Sequence, residues 1–436
     1  MSEEFLHYLW KFQNFNKEGL KTTEGEVVSI FHPGIHNHDA GPDFSDARIQ
    51  IGQQLWAGNV EMHINSSDWA KHGHQNDEAY GNVILHVVYD DDKEVLDQND
   101  KPIPTIILKG LFDEYLYWRY EQLVGTRDVI PCAQQFPQVD SFIKETMLER
   151  VLVERLEQKS ALIEDLWQKN NKDWNETFYQ WMARGFGLKV NAEPMLILAR
   201  SVPQNILAKH KDNLFQLEAL LFGVSGMLEG GEREKEREGE GEDEKDDYAE
   251  QLNKEFRFLK SKYKLENLKP SIWKFARLRP PSFPGVRIGQ FAALIHRSDN
   301  LFSKVLGTGS LKVLSQLLSD SPSIYWREHY RFGVKHTRTK AGMGEAFQQT
   351  LIINVIIPFL FIYGKIKDEP FYRQRAMDLL DQMAPENNKI TRIYKALGLD
   401  INSGYQSQAT IQLHNAYCST KKCLNCTIGI HLIKAQ

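Results

Sequence analysis

The sequence predicts an α+β protein, with a mixed β-sheet flanked by helices at its N-terminal end and a larger all-helical region after it. Three observations predict this. Between residues 25 and 110 the apolar residues alternate or run continuously, as strands require. Beyond about residue 140 they recur at steps of three and four, as on helices. Three of the four cysteines, Cys418, Cys423 and Cys426, crowd into a short tail. A chain of 436 residues exceeds one ordinary core. The composition shifts place domains at 1–125, 126–412 and 413–436.

Taken in order, EEFLHYLWKFQNF (3–15) sets Phe5, Leu9 and Phe12 at helical spacing, an amphipathic first helix. GEVVSIF (25–31) is β-branched and apolar. FSDARIQI (44–51) alternates, with Asp46, Arg48 and Gln50 opposite Ala47, Ile49 and Ile51. NVEMHIN (59–65) alternates again, with Val60, Met62 and Ile64 opposite Glu61 and His63. A helical or loop interruption at 66–80 precedes NVILHVVY (82–89), continuous enough for a strand covered on both faces. PTIILKG (104–110) is the last short strand. Long amphipathic helices follow, among them SFIKETMLERVLVERLEQKSALIEDLWQK, NLFQLEALLFGVSGML, EFRFLKSKYKL and the stretch 372–383. LIINVIIPFLFI (351–362) is shorter than the ~20 residues of a bilayer span and is interrupted by Asn354 and Pro358, so it reads as a buried helix. The charged run EGGEREKEREGEGEDEKDD (229–247) reads as a solvated loop.

Composition narrows the function classes. With 42% hydrophobic and 25% charged residues the chain reads as soluble and globular. MSEEFLHYLWKF lacks the basic region and cleavage site of a secretory signal, so the expectation is a cytoplasmic protein without a membrane partner. Four cysteines in that setting are thiols or metal ligands rather than structural disulfides. A net charge of −5 neither demands nor excludes nucleic acid, because local patches decide that. Neither GxxxxGK[ST] nor GxSxG occurs, which removes P-loop and nucleophile-elbow chemistry.

The residues that carry chemistry suggest a metal site. Strand parity puts Glu61 and His63 on one face, and burying two ionisable groups costs free energy unless a partner compensates. A hard cation is one such partner, and Asp43 on the neighbouring strand brings a second carboxylate. Carboxylate oxygens suit Mg²⁺ or Mn²⁺, which can activate water and stabilise a leaving oxyanion. Asp43 follows Pro42 and precedes apolar Phe44, whereas Asp46 reads as a surface ion pair with Arg48 or a neighbour. His72 and His74 return toward the Glu61 strand, His86 reads as a core histidine, and His32, His36 and His38 lie in a Gly/Pro loop at the expected lip of the cleft.

Pro42-Asp43 followed by Glu61-Met62-His63 resembles the PD-(D/E)xK pattern of the restriction-endonuclease-like superfamily. The order helix, strand, strand with Asp, strand with Glu, helix, strand fits that core, over about the first hundred and ten residues. The resemblance implies a metal-dependent nuclease in which Asp43 and Glu61 hold the metal, with the Met62 carbonyl a third ligand. Glu4 would correspond to the acidic residue of the first helix. His63 stands where that superfamily has lysine; an imidazole can act as a general base or assist phosphate charge. The departure leaves two alternatives open: a non-catalytic nucleic-acid-binding or scaffold protein on the same fold, and a metal-dependent hydrolase of another substrate. The whole chain also resembles an uncharacterised bacterial family described as a domain of unknown function, through GPDFSDARI, VEMHINSSDWAKHGH, NVILHVVYD, LRPPSFPGVRIGQ and YCSTKKCLNC.

The tail spacing C-x4-C-x2-C lets three sulfurs converge, and Cys132 can supply a fourth ligand if the tail folds back. Zn²⁺, or an iron–sulfur cluster as in some nucleases of that superfamily, is the expected occupant, in a structural role. In 273–298 and 326–342 cations interleave with aromatics, and Arg277, Arg279, Arg287, Arg338 and Lys340 are the candidate phosphate contacts. Alone, each stretch reads as helix faces whose arginines pair with glutamates. Beside a metal site, the two together point to a nucleic-acid partner.

Overall fold

The structure is a computed structural model that describes residues 1–37, 39–228, 246–319, 321–336 and 342–435. It contains two compact units. One comprises Met1–Arg150, Arg392–Leu399 and Thr410–Gln436; the other comprises Val151–Thr391 and Asp400–Ala409. Residues 126–150 and the cysteine-bearing tail thus belong with the N-terminal strands, not to a helical domain and a separate segment.

The first unit opens with helix α1 (Glu3–Phe12), capped by Ser2 and carrying two acidic residues in its first turn, where the helix dipole favours them. Its buried face is Phe5, Leu6, Leu9 and Trp10, and Phe12, expected inside, is 39% exposed. The Trp10 indole N–H donates to the Pro33 carbonyl at 2.8 Å, tying the helix to the sheet. The strands are β1 (Val28–His32), β2 (Ile35–His36), β3 (Phe44–Ile51), β4 (Gln54–Asn65), β5 (Val83–Asp90) and β6 (Thr105–Ile107). They pair in the order β1-β3-β4-β5-β6, with β2 added beside β3. β3 is antiparallel to β1 and β4, while β4, β5 and β6 run parallel, which makes the sheet mixed as expected.

Two details position the site. The register of β3 on β4 shifts between Phe44 and Ala47, where Asp46 adopts φ 58°. This bulge moves the parity by one, so Phe44 is buried together with Ala47, Ile49 and Ile51 while Asp46 is exposed. Second, β4 is not half-buried: Val60, Glu61, Met62 and His63 are all buried, and Ile64, expected in the core, is only half-buried. The chain between β4 and β5, with helix α2 (Asp68–His72), covers the face that carries Glu61 and His63. Helix α3 (Glu114–Gly125) holds the C-terminal helix (Thr427–Lys434), with Arg119 donating to the Ile433 carbonyl at 3.1 Å and Lys421 to that of Thr126 at 3.0 Å.

Among the described residues, the regular elements of the second unit are helices and a short hairpin, His329–Arg331 with Val334–Lys335. The apolar run at 351–362 lies in a longer helical stretch, Glu345–Ile366, with a π-helical segment at Ile352–Ile356. Those 22 residues are long and apolar enough to cross a membrane, yet 72% of the apolar window is buried within the protein. Phe359 there packs edge-on against Trp174, Phe178 and Phe302. The charged run is outside the described residues from 229 to 245, and Asp246 caps the helix Asp247–Tyr263.

Candidate metal centre

The site grows from β4. A strand buried on both faces has no solvent for Glu61 and His63, which are 5% and 1% exposed, so protein groups must satisfy them. Glu61 Oε2 accepts the Asp43 backbone N–H at 3.0 Å, and Asp43 Oδ2 in return accepts the Met62 N–H at 3.0 Å. This reciprocal pair welds the start of β3 to the middle of β4. Each of the two carboxyl groups expected together is thus bound to the backbone beside the other.

The loop after β4 supplies the rest. Ser66 and Ser67 both bind the Asp92 carboxylate, which anchors the start of α2. The helix ends after one turn at Gly73, whose φ of 77° reverses the chain. That reversal turns His72 and His74 to the same point. His63 Nε2 lies 3.1 Å from His72 Nδ1 and 3.7 Å from Glu61 Oε1, and His74 Nε2 lies 3.4 Å from that same oxygen. Ligand atoms bound tetrahedrally at about 2.0–2.1 Å from one ion sit about 3.3–3.4 Å apart. Among the described residues, His63, His72 and His74 are the trio whose ligand atoms all lie within 4.8 Å of one another.

A further shell holds the imidazoles. His63 Nδ1 and His86 Nε2 are 2.8 Å apart, a hydrogen bond that leaves His63 Nε2 to face the cluster. Trp69 lies edge-on to His74 and His86, and Tyr80 stacks on His74 at 3.8 Å. Burial, and then the neighbouring imidazoles, push His63 and His86 down to about 3. Burial and then His72 lower His74. Neutral rings keep a lone pair available to a cation. Burial first, and then the charge of Asp43, raises Glu61. His74 Nε2 is buried without a hydrogen bond and lies 3.4 Å from Glu61 Oε1.

Helix α1 closes one side, and here the sequence expectation is corrected. Glu4 is exposed, accepts from the Tyr120 hydroxyl at 3.3 Å and turns away from the cluster. Glu3 faces Asp43 and His72 instead, and burial followed by Asp43 raises its pKa. His7, one turn on, brings Nε2 to 3.2 Å from Asp43 Oδ2. Residues four apart share a helix face, so that spacing was the readable signal for Glu3 and His7. His36 stacks on Phe44 and abuts His7, whereas His32 contacts the Asp46 carbonyl and His38 is outside the described residues.

The other expected sites fare differently. The four cysteines are free thiols of the first unit, three of them buried. Arg287 is not a phosphate contact: it is 8% exposed, stacks 3.4 Å from the Phe347 ring centroid and binds Gln290. Arg277 and Arg279 are exposed, and Arg338 and Lys340 lie outside the described residues. A cleft lined by Gln53, Gln54, Leu55 and Trp56, and another around Asp173, Glu176 and Arg200, share no residue with the histidine cluster. Within the cluster His72 is exposed, and His63 and His74 are buried.

The family described as "Protein of unknown function (DUF2851)" matches residues 3–389, and the chain belongs to it. No curated protein and no solved structure matches the chain.

Proposed function

Taking the chain as a member of this family, we propose that it is a metal-dependent hydrolase that cleaves phosphodiester bonds in nucleic acid. One observation carries the reading: the imidazole nitrogens of His63, His72 and His74 gather within 4.8 Å of one another, with Glu61 Oε1 3.7 Å from His63 and 3.4 Å from His74 and the Asp43 backbone held to Glu61. The element order α1, β1, β3 with Asp43 before it, β4 with Glu61-Met62-His63, α2, β5 supports the nuclease-like fold assignment. A nitrogen-rich donor set favours Zn²⁺, Mn²⁺ or Fe²⁺ over the all-oxygen shell that Mg²⁺ prefers. Such an ion would activate water and neutralise the leaving oxygen. Asp43, held by the Met62 N–H and next to His7, is placed to accept a proton at the open side.

The test is cleavage of single- and double-stranded DNA and RNA, each with Mg²⁺, Mn²⁺ and Zn²⁺. Glu61→Ala and His63→Ala are expected to lose both bound metal and cleavage. Asp43→Asn is expected to keep the metal and lose about 10²-fold or more of the rate. Metal binding without turnover on any of these substrates would reject the reading. The burial of Glu61 and His63 favours a second one, a non-catalytic metal-stabilised scaffold, for which that result is the expected one.

A further inference from the structure

We propose that the second unit carries a binding surface for single-stranded nucleic acid, built where the irregular chain 273–283 meets the hairpin His329–Arg331 with Val334–Lys335. Charge marks the place. From Asn267 to Ser298 the chain has six lysines and arginines and no Asp or Glu, and from His329 to Gly344 it has four and again none, in a protein whose net charge is −5. Cations are therefore concentrated here against the overall balance. Two stretches far apart in sequence come together. The Arg331 guanidinium lies 4.4 Å from the Phe275 ring centroid and 5.1 Å from that of Phe283, and Tyr330 packs edge-on to Phe283 at 5.7 Å.

The ordinary reading of such residues, helix faces whose arginines pair with glutamates, fails on two counts. Lys274, Arg277 and Arg279 lie on irregular chain between the short turns Pro270–Ile272 and Pro280–Ser282, and all three are exposed, as is Lys335. Among the described residues, no carboxylate pairs with any of these four or with Arg331. The chain that carries them is pinned. Buried Trp273 donates its indole N–H to the Ser225 carbonyl at 2.9 Å, and the buried side chain of Asn191 binds both the N–H and the carbonyl of Lys274 at 2.9 Å. Pro280, Pro281 and Pro284 fix their own φ angles. A surface held this way loses little conformational freedom when a ligand settles on it.

Phosphate chemistry accounts for the cations, and the rings select the strand. Phe275, Phe283 and Tyr330 are half-buried around Arg331, whose Nε is buried without a hydrogen bond. Aromatic rings and guanidinium planes are the surfaces on which unpaired bases stack, while exposed cations track the backbone. A duplex keeps its base faces covered and would use only the cations. None of these residues belongs to the unit that holds the histidine cluster, so binding here stands or falls apart from the metal reading.

The experiment measures binding of labelled single-stranded DNA, single-stranded RNA and duplex DNA of equal length to the full-length protein, by fluorescence anisotropy over a range of salt. Wild type without added metal is compared with Glu61→Ala, so that failure of cleavage and failure of this surface are read apart. One of the two single strands is expected to bind about tenfold or more tighter than the duplex, with equal affinity for both proteins. The combined variant Arg277→Ala, Arg279→Ala, Lys335→Ala should bind it about tenfold or more weakly. Its slope of log affinity on log salt should be shallower by about 2, since each single-strand phosphate contact contributes about 0.7. Phe275→Leu should weaken single-strand binding about fivefold or more at an unchanged slope and leave duplex binding as it was. Duplex bound as tightly as single strands, a triple variant that binds like wild type, or affinity for phosphatidylserine vesicles without affinity for any oligonucleotide overturns the proposal.

Discussion

His86 illustrates what one buried side chain can do. It is fully buried on β5 and fixes the ring of His63 from behind, so its loss should disturb the cluster without removing a ligand. His86→Phe is expected to lower metal affinity about 10–100-fold, measured by competition with a chelator of known affinity. Glu4→Gln should leave that affinity unchanged, because Glu4 faces Tyr120. In the second unit Glu218 is fully buried beside the Tyr248 hydroxyl, and burial raises its carboxyl to about 7. A carboxyl raised above its unfolded value binds its proton more tightly when folded. Its stabilising contribution is full at low pH and is lost as pH rises through about 7. Thermal melts should therefore fall between about pH 4.5 and 7, by the equivalent of roughly 3 kcal/mol. Glu218→Gln should flatten that dependence. The Glu61–His63 pairing was legible from period-two alternation. That Glu3 and His7 share a helix face was legible as well, but not which strand that face would meet.

Strands and helices were legible where their period was long and clear. β3 has the bounds its alternation predicts, and the helix Ser141–Lys169 matches its three–four spacing. The bulge in β3 was not visible, because nothing in Ser45-Asp46 distinguishes a two-against-one pairing from a regular one. The double burial of β4 escaped for a related reason: cover for its polar face comes from a later loop. Close packing at that pair gives an element-scale prediction. A Cβ at Gly58 on β4 would lie 2.4 Å from Ile84 Cγ2 and 2.7 Å from the Asn82 carbonyl. Gly58→Ala should cost about 1–3 kcal/mol, read as a lower denaturant midpoint with an unchanged slope.

At the scale of the molecule, the first unit is discontinuous in sequence, and its last helix packs on α3. Removing residues 413–436 should expose the apolar faces of α1 and α3, so the fragment 1–412 is expected to melt earlier and to associate in size-exclusion chromatography. The two-unit division cut across the boundary expected at 125, since composition does not register which later segment returns to an earlier sheet. By itself the sequence determined the class of each stretch and its α+β order, because hydrophobic period and turn chemistry act between residues a few positions apart. Only the tertiary structure decided that Glu3 and His7 of the first helix come beside Asp43, and that the tail joins the first unit. Those meetings depend on strand order and one bulge, both settled by burial between segments far apart in the chain.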